Sequence, residues 1–580
     1  MGRLAIVDHD KCKPTKCGKR CALVCPPNQQ QKACIVIEDI EDIGKKAVIY
    51  TDFCIGCGLC VKNCPFNAIH IVNVPQQLTS DKLLYSYGQN KFRVYSYPSI
   101  RKGICLGILG GNGLGKSTLM KLLTRELTIN LKDKKSLLAG TELYNFLSND
   151  RHTSYKPQDV IAVQRSKHGQ RQVSEVLDKL NVDIQEQLDL TKLKSRLVKE
   201  LSGGEIQRLL IGLACSKDAD AYLFDEPSAF LDIKQRIVMA KMIESKIEQK
   251  YVILVEHDLC IFDYISDSVV CLYGQKGAYG VVSTISNTFN GINNYLEGYL
   301  PSENMQIRDK PIRFKSSIED DDLRRMTFKY ASTTKTFDGF QLNISAGEFS
   351  TSEVILLIGE NGTGKSTFIK MLAGDIKPDN SDWVYPDMHV SIKPQDVYDT
   401  STNLTVQEYI FKTIGNMAVD TLFRNTVIKP LKIDDLNELT VSTLSGGQAQ
   451  KVALVIALGK VADIYLLDEP SAYVDVDDRI VMAKVIRQFA YQTSKTVFLV
   501  EHDLIFATSI SDKVIVFEGE PSVNCTARSP TTLQSGINDF LKMLDITMRR
   551  DITTGRPRIN KKGSVLDQQQ KSKNTYFTVM

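Results

Sequence analysis

Short, nearly uninterrupted apolar runs recur along the chain, each ending in a polar or glycine-rich segment. "ICLGIL" (104–109) and "VILLI" (354–358) have the length and composition of buried strands. Both run into a glycine loop and then into a helical pattern, "GGNGLGKSTLMKLL" and "GENGTGKSTFIKML". "AYLFD" (221–225) and "IYLLD" (464–468) are apolar strands that end on aspartate. "ILV" and "FLV" lead into "EHDL" at 256–259 and 501–504. The same series of elements occurs twice in the same order, and the spacing from "LSGG" serine to "DEP" glutamate is 24 residues in both copies. One unit has been duplicated.

The glycine loops meet the pattern Gly-x4-Gly-Lys-Ser in the strand–loop–helix setting that a phosphate-binding loop requires. Gly110, Gly111, Asn112, Gly113, Leu114, Gly115, Lys116, Ser117 and Thr118 form the first loop. Gly359, Glu360, Asn361, Gly362, Thr363, Gly364, Lys365, Ser366 and Thr367 form the second. Glycines let backbone amides wrap phosphates, and the helix N-terminus adds a favourable dipole. The lysine reaches the β- and γ-phosphates, and the serine hydroxyl serves Mg²⁺. Asp225 and Asp468 are placed to complete the Mg²⁺ site, with Gln158 in "YKPQD" and Gln395 in "IKPQD". Glu226 and Glu469 are the natural bases for the attacking water, and His257 and His502 are placed to meet the γ-phosphate. "LSGGEIQR" (Ser202, Gly203, Gly204) and "LSGGQAQK" (Ser445, Gly446, Gly447) are anion sites of a second kind at helix starts.

Length changes the picture only by allowing three or four domains in 580 residues. With 43% hydrophobic and 24% charged residues the composition is that of ordinary globular domains, and a net charge of +4 announces no polyanion partner. The charge is uneven: from Lys542 to Lys573 there are nine Lys/Arg against three Asp/Glu. Such a basic tail is either a solvated end or a polyanion site. No apolar run approaches the roughly 18 residues that span a bilayer, and "MGRLAIVDHDKCK" lacks a signal-peptide core. The reading is cytosolic, without a membrane.

Nine of the fourteen cysteines lie between Cys12 and Cys64, a crowding that points to metal in a reducing compartment. Cys54, Cys57, Cys60 and Cys64-Pro have the bacterial ferredoxin spacing; Cys12, Cys17, Cys21 and Cys25-Pro form a looser run. Eight thiolates satisfy two [4Fe–4S] clusters. In two-cluster ferredoxins the last cysteine of each run serves the other cluster. The expected sets are therefore Cys54, Cys57, Cys60 with Cys25, and Cys12, Cys17, Cys21 with Cys64. Structural zinc is the competing reading, but zinc ribbons show separated Cys-x2-Cys pairs. Cys34, in the alternating "KACIVIE", is read as a packing residue.

Together these motifs resemble the ATP-binding-cassette superfamily, and their fusion to a double ferredoxin resembles one branch of it, subfamily E, the RNase L inhibitor or ribosome-recycling ATPases. "CIGCGLCVKNCPFNAI", "LYGQKGAYGVV", "GEFSTSEV" and "INDFLKMLDITMRRD" carry that resemblance over essentially the whole chain. It implies a multidomain α/β protein: a ferredoxin-like α+β domain (1–75), a first cassette (76–298), a basic hinge (299–318), a second cassette (319–530), and a C-terminal hinge and tail (531–580). Each cassette would have a mixed-sheet core with a helical subdomain. The two would lie head to tail with two ATP between them, as an intramolecular dimer in a monomer. Ser202 would then serve the nucleotide on Lys365, Ser445 the one on Lys116, and Asp232 and Asp475 would cross the interface. Adenine would stack on Tyr87 or Phe92 in the first site and on Tyr330 in the second.

The family resemblance also implies a function, the ATP-dependent splitting of ribosomes into subunits. Its partners would be the small subunit and its ribosomal RNA, a release factor or its rescue relative, and initiation factors. Arg308, Arg313, Arg549, Arg550, Arg556 and Arg558 would be phosphate contacts or intramolecular partners. Two features depart from the family pattern. The insert before Gln158 is short, with "GTELYNFLSND" as its remnant, and Lys451 stands where the signature usually has an arginine. ATP-driven redox or cluster transfer is the alternative function, and the soluble engine of a transporter a weaker one.

Overall fold

The computed structural model describes residues 2–7, 12–40, 44–50, 53–74, 82–88, 91–129, 133–314, 326–379, 388–394 and 402–577. The apolar runs are the central strands of two nine-stranded mixed sheets with one topology. In the first, parallel strands stand in the spatial order Thr153–Lys156, Ala221–Asp225, Tyr251–Val255, Ile104–Leu109, Ser268–Gln275. An antiparallel turn to Tyr279–Val282 leads on to Arg93–Tyr95 and Leu83–Ser86. The second repeats this order with Val390–Lys393, Ile464–Asp468, Thr496–Val500, Val354–Ile358 and Lys513–Glu520. Every residue of Ala221–Asp225 and Tyr251–Val255 is buried, as strands covered on both faces require. Register sets Asp225 beside Val255 and Asp468 beside Val500, so both acidic strand ends open on the same edge as the glycine loops.

The cysteine domain is built from two antiparallel pairs, Gly2–Val7 with Ile69–Val74 and Ile35–Ile40 with Gly44–Ile49, and three one-turn helices. Ile69–Val74 lies against the short strand Met305–Gln306, which pairs with Tyr299–Leu300 just after helix Thr288–Glu297. One apolar cluster runs continuously through both cassettes and the C-terminal segment, from Leu254 through Leu356 to Ile559 and Phe577.

The short insert is folded into the first cassette. Thr141 caps the helix Glu142–Ser148, whose Leu143 and Phe146 are buried, and Phe146 meets Tyr251 edge to face at 5.2 Å. No helix among the described residues is long and apolar enough to cross a membrane.

The hinge arginines, expected as phosphate contacts or as intramolecular partners, are engaged within the chain. Arg308 pairs with Asp477 and donates to the Tyr295 carbonyl at 2.7 Å; Arg313 is 2.6 Å from Glu297. Arg549 donates to Asn560 Oδ1 at 3.0 Å and Arg550 to the Gly555 carbonyl at 2.9 Å. Arg556 is fully buried, 3.3 Å from Asp263, and Arg558 reaches the same carboxylate at 2.6 Å. The reason is topological: the hairpin Met548–Arg550/Pro557–Ile559 returns to the first cassette and lies on helix Leu259–Ile265. A buried guanidinium needs an anion, and Asp263 supplies it.

Replacing Asp263 with Ala leaves both guanidinium groups without their shared carboxylate. The expected loss is about 3–5 kcal/mol, as for removal of one partner of a buried ion pair. Urea unfolding measures it, and a loss below about 1 kcal/mol would mean that the pair does not secure the C-terminal segment.

Candidate functional site: paired nucleotide faces and a thiolate body

Gly115 (φ 102°) and Gly364 (φ 92°) precede the helices Lys116–Leu123 and Lys365–Leu372, in backbone conformations that favour glycine. Gly115 is also tight in space: a Cβ there would lie 2.9 Å from the Phe92 ring. Lys116 Nζ donates to the Gly110 and Gly111 carbonyls at 2.8 and 3.2 Å, and Lys365 Nζ to those of Gly359 and Glu360 at 2.9 and 2.8 Å. Burial lowers the pKa of both lysines. Ser117 and Ser366 are exposed, and Ser366 Oγ donates to Asp468 Oδ2 at 3.2 Å.

Glu226 and Glu469 sit one residue past their strands with φ of 46° and 41°. Left-handed backbone at a non-glycine residue is costly and persists where surrounding structure enforces it. Here the Glu226 amide donates to the Val255 carbonyl at 2.8 Å, and that of Glu469 to Val500 at 2.9 Å. Gln158 Nε2 donates to Glu226 Oε1 at 2.8 Å, and His257 Nε2 stands 3.3 Å from the same oxygen. The His502–Glu469 distance is 3.7 Å. Burial and the neighbouring Glu226 push Asp225 up to about 7. For Glu226 burial acts upward too, but the His257 ring, Lys116 and Gln158 outweigh it and hold the carboxyl at about 2. Two adjacent carboxyls thus differ in charge, with the ionised one facing the histidine. Burial, Lys365 and Arg236 push His502 well below its usual range, which keeps its ring neutral.

The two faces are set against each other. Asp232 Oδ2 accepts from the Asn361 amide of the second glycine loop at 2.8 Å, and Asp475 Oδ2 from the Asn112 amide of the first at 3.0 Å. Lys276 Nζ reaches Asp475 at 3.1 Å and Lys234 reaches Glu360 at 3.0 Å. A Cβ on Gly204 would stand 3.8 Å from Asn361 Nδ2, so the first "LSGG" element borders the second loop. Ser202 and Ser445 cap the fourteen-residue helices Gly203–Ser216 and Gly446–Gly459, each with a capping box closed by Glu205 or Gln448. Lys451 pairs with Asp478 at 2.5 Å, whereas Arg208, its counterpart, donates to the Leu188 carbonyl at 2.6 Å.

Some assignments change and some are added. Tyr87 is exposed, with its hydroxyl 3.3 Å from Thr118 Oγ1, and Phe92 packs on the first loop. Tyr330 is only 3% exposed, packed between Phe349 and Phe368 beneath Gly347, so it is a core residue and not a platform for adenine. Phe340 occupies the place by Gly364 that Phe92 has by Gly115, and it stacks on the exposed Phe337. Gln395 lies outside the described residues. The sequence reading passed over Lys156 and Lys393, both almost wholly buried. Lys156 Nζ donates to the Asp225 and Glu226 carbonyls at 2.9 and 3.0 Å, and Lys393 Nζ to that of Asp468 at 2.9 Å. Their shared place in "YKPQD" and "IKPQD" was the signal.

In the cysteine domain, Cys25, Cys54, Cys57 and Cys60 line one small cavity, together with Cys34. Cys12, Cys17 and Cys64 crowd around Cys21, whose thiol burial pushes up to about 11. Backbone amides point at sulfur: Ala5 to Cys54 at 3.4 Å, Ala47 to Cys12 at 3.5 Å and Ala68 to Cys64 at 3.3 Å. Grouped thiols with amide donors on their sulfurs fit iron–sulfur ligation, where such bonds offset thiolate charge.

The correction at Tyr330 is testable. Tyr330→Leu should leave ATP affinity of the second site within about twofold, whereas Phe340→Leu should weaken it by roughly tenfold, the loss of one stacking contact. Titration with a fluorescent ATP analogue in a Lys116→Ala background reads both; the opposite ranking would restore Tyr330.

The family pattern described as "ABC transporter" matches residues 98–229 and 342–472. "4Fe-4S binding domain" matches 47–70, and "Possible Fer4-like domain in RNase L inhibitor, RLI" matches 2–32. The chain is 44% identical to translation initiation factor RLI1 of Saccharomyces cerevisiae, over 99% of this chain and 98% of that protein. It is 42% identical to ABC transporter E family member 1 of Arabidopsis thaliana, over 100% and 99%. Among solved structures, one titled "Model of ribosome-bound archaeal Pelota and ABCE1" superposes with a TM-score of 0.82 at 40% identity, covering 100% of this chain and 99% of the other. With both cassettes, the 4Fe–4S-binding domain and near full-length relatives matched, the chain belongs to family E of the ATP-binding-cassette ATPases, the RNase L inhibitor family.

Proposed function

We propose that this protein is an ATP-dependent ribosome-recycling factor, which splits ribosomes into subunits as its two cassettes close on ATP. The observation that carries this reading is the crossed pair of aspartate–amide bonds, Asp232 to Asn361 and Asp475 to Asn112. With them, each nucleotide face is completed by the other cassette, so ATP binding becomes relative motion. Similarity to a protein solved on the ribosome supports the choice of load.

In this mechanism each ATP lies between a glycine loop and the opposite signature, on Lys116 with Ser445 and on Lys365 with Ser202. Glu226, ionised at neutral pH, and its counterpart Glu469 polarise the attacking water. The neutral His502 and its counterpart His257 meet the γ-phosphate and orient the glutamates. Ser117, Asp225 and Gln158, and in the second site Ser366, Asp468 and Gln395, would hold Mg²⁺, which would supply positive charge beside the transferred phosphoryl group. Lys156 and Lys393 fix the main chain that carries the acidic pair. Two [4Fe–4S] clusters, on Cys54, Cys57, Cys60 and Cys25 and on Cys12, Cys17, Cys21 and Cys64, would brace a domain with too small an apolar core to be rigid unaided. That domain is the body displaced against the ribosome, through the contact of Met305–Gln306 with Ile69–Val74.

Incubation with purified ribosomes and a non-hydrolysable ATP analogue should bring the protein down with the small subunit at moderate salt. Absence of nucleotide-dependent cosedimentation would overturn the recycling reading. The Glu226→Gln/Glu469→Gln chain should bind ATP normally, turn over at least about 100-fold more slowly, and stay closed. Turnover at the native rate would refute the base assignment.

A further inference from the structure

Between the cassettes lies a cavity with about 40 Å³ of free space. Glu226 of the first cassette and Glu469 of the second both border it, and Arg236 and Arg479 line it as well. The two arginines stand four residues after Asp232 and Asp475, so each begins from the aspartate that touches the opposite glycine loop.

Arg236 is buried, and its guanidinium is shared among three elements. Nε donates to the Leu231 carbonyl at 2.8 Å, which holds the loop that carries Asp232. Nη1 donates to Asp258 Oδ2 at 2.5 Å, on the residue next to His257. The same Nη1 donates across the interface to the carbonyl of His502 at 3.1 Å. Asp258 in turn caps helix Leu259–Ile265 through the Cys260 and Ile261 amides, so it is not free to follow the arginine without moving the segment after His257. Arg479 repeats the first two bonds, to the Val474 carbonyl at 2.8 Å and to Asp503 at 2.6 Å.

We propose that Arg236 is a positioning residue that couples the two ATP sites, by linking the histidine of the second site, His502, to the Asp258–His257 segment of the first. The inference rests on the twin-ATPase reading and goes beyond it. Asp232 and His502 both border the nucleotide on Lys365, and Arg236 is bonded to the loop of one and the backbone of the other. A change of state at the second site therefore displaces the guanidinium. Its third partner, Asp258, adjoins the histidine of the first site, so the displacement alters that histidine's position against Glu226. The fork geometry matters: one planar group meets a carboxylate and two carbonyls at fixed angles, which an ammonium cannot reproduce.

The test is a double-mutant cycle on the full-length, cluster-loaded protein. Glu469→Gln should change ATP turnover at the remaining first site by at least about fivefold, the lower end of measured site couplings. With Arg236→Ala or Arg236→Lys in place, the same substitution should change turnover by less than about 1.5-fold, a loss of most of that coupling. The lysine variant keeps the charge and guards against misfolding of the alanine one; unfolding temperature and ATP affinity of each site are measured alongside. A merely structural arginine would lower turnover in all backgrounds and leave the Glu469→Gln effect intact. That result, or no effect of Glu469→Gln in the otherwise native chain, overturns the coupling. If the doubly substituted glutamate chain hydrolyses normally, the base assignment fails, and the coupling is read from binding instead. Lys365→Ala, which empties the second site, should then shift the Kd of ATP at the first by at least about fivefold with Arg236 present, and leave it unchanged in the Arg236→Lys chain.

Discussion

Two carboxylate–amide hydrogen bonds, Asp232 to Asn361 and Asp475 to Asn112, set the conditions for everything else in this molecule. Each ties an aspartate of one cassette to the glycine loop of the other. Neither loop is therefore a complete site by itself. The aspartates also cap helices Ile233–Glu244 and Val476–Thr493, so the crossing bonds end on rigid rods. Because both cassettes share one chain, the effective concentration of each half for the other is high, and the interface forms without a search for a partner.

From this constraint follow the charges inside the interface. Most of these groups are buried, so acids and bases must satisfy one another. Arg236 and Arg479 take Asp258 and Asp503, Lys276 takes Asp475, and Glu256 and Glu501 accept amides from the following His-Asp residues. Burial and the proximity of Glu226 hold Asp225 near neutrality, and Glu226 remains ionised through its contacts with His257, Lys116 and Gln158. The contrast between adjacent carboxyls comes from geometry, since both belong to one strand end.

Much of the site could be read in the chain because duplication supplied its own control. A lone histidine in an apolar context carries little information, but His257 and His502 in register behind two glycine loops could be placed at once, and the structure brings each beside its glutamate. The same register holds Lys156 and Lys393, but a lysine in a buried strand has meaning only when its acceptors are known, and these are main-chain carbonyls about 70 residues further on. Tyr330 was misplaced because an aromatic in a strand suits a core and a ligand equally, and the deciding contacts, with Phe349, Phe368 and Gly347, depend on pairing of Thr327–Tyr330 with Gly347–Ser350. The basic hinges looked like a surface for phosphates because their carboxylates, Asp477 and Asp263, are far away in sequence.

That separation has a consequence for how the protein is made. Arg558 and Asp263 are 295 residues apart, and at about 5–20 residues per second a ribosome needs roughly 15–60 s to supply the arginine after the aspartate has emerged. During that interval the first cassette must stand with Asp263 and the face of helix Leu259–Ile265 uncovered. The nascent protein therefore passes through a stage with one cassette assembled and the hairpin that covers it, Met548–Arg550/Pro557–Ile559, still unsynthesised.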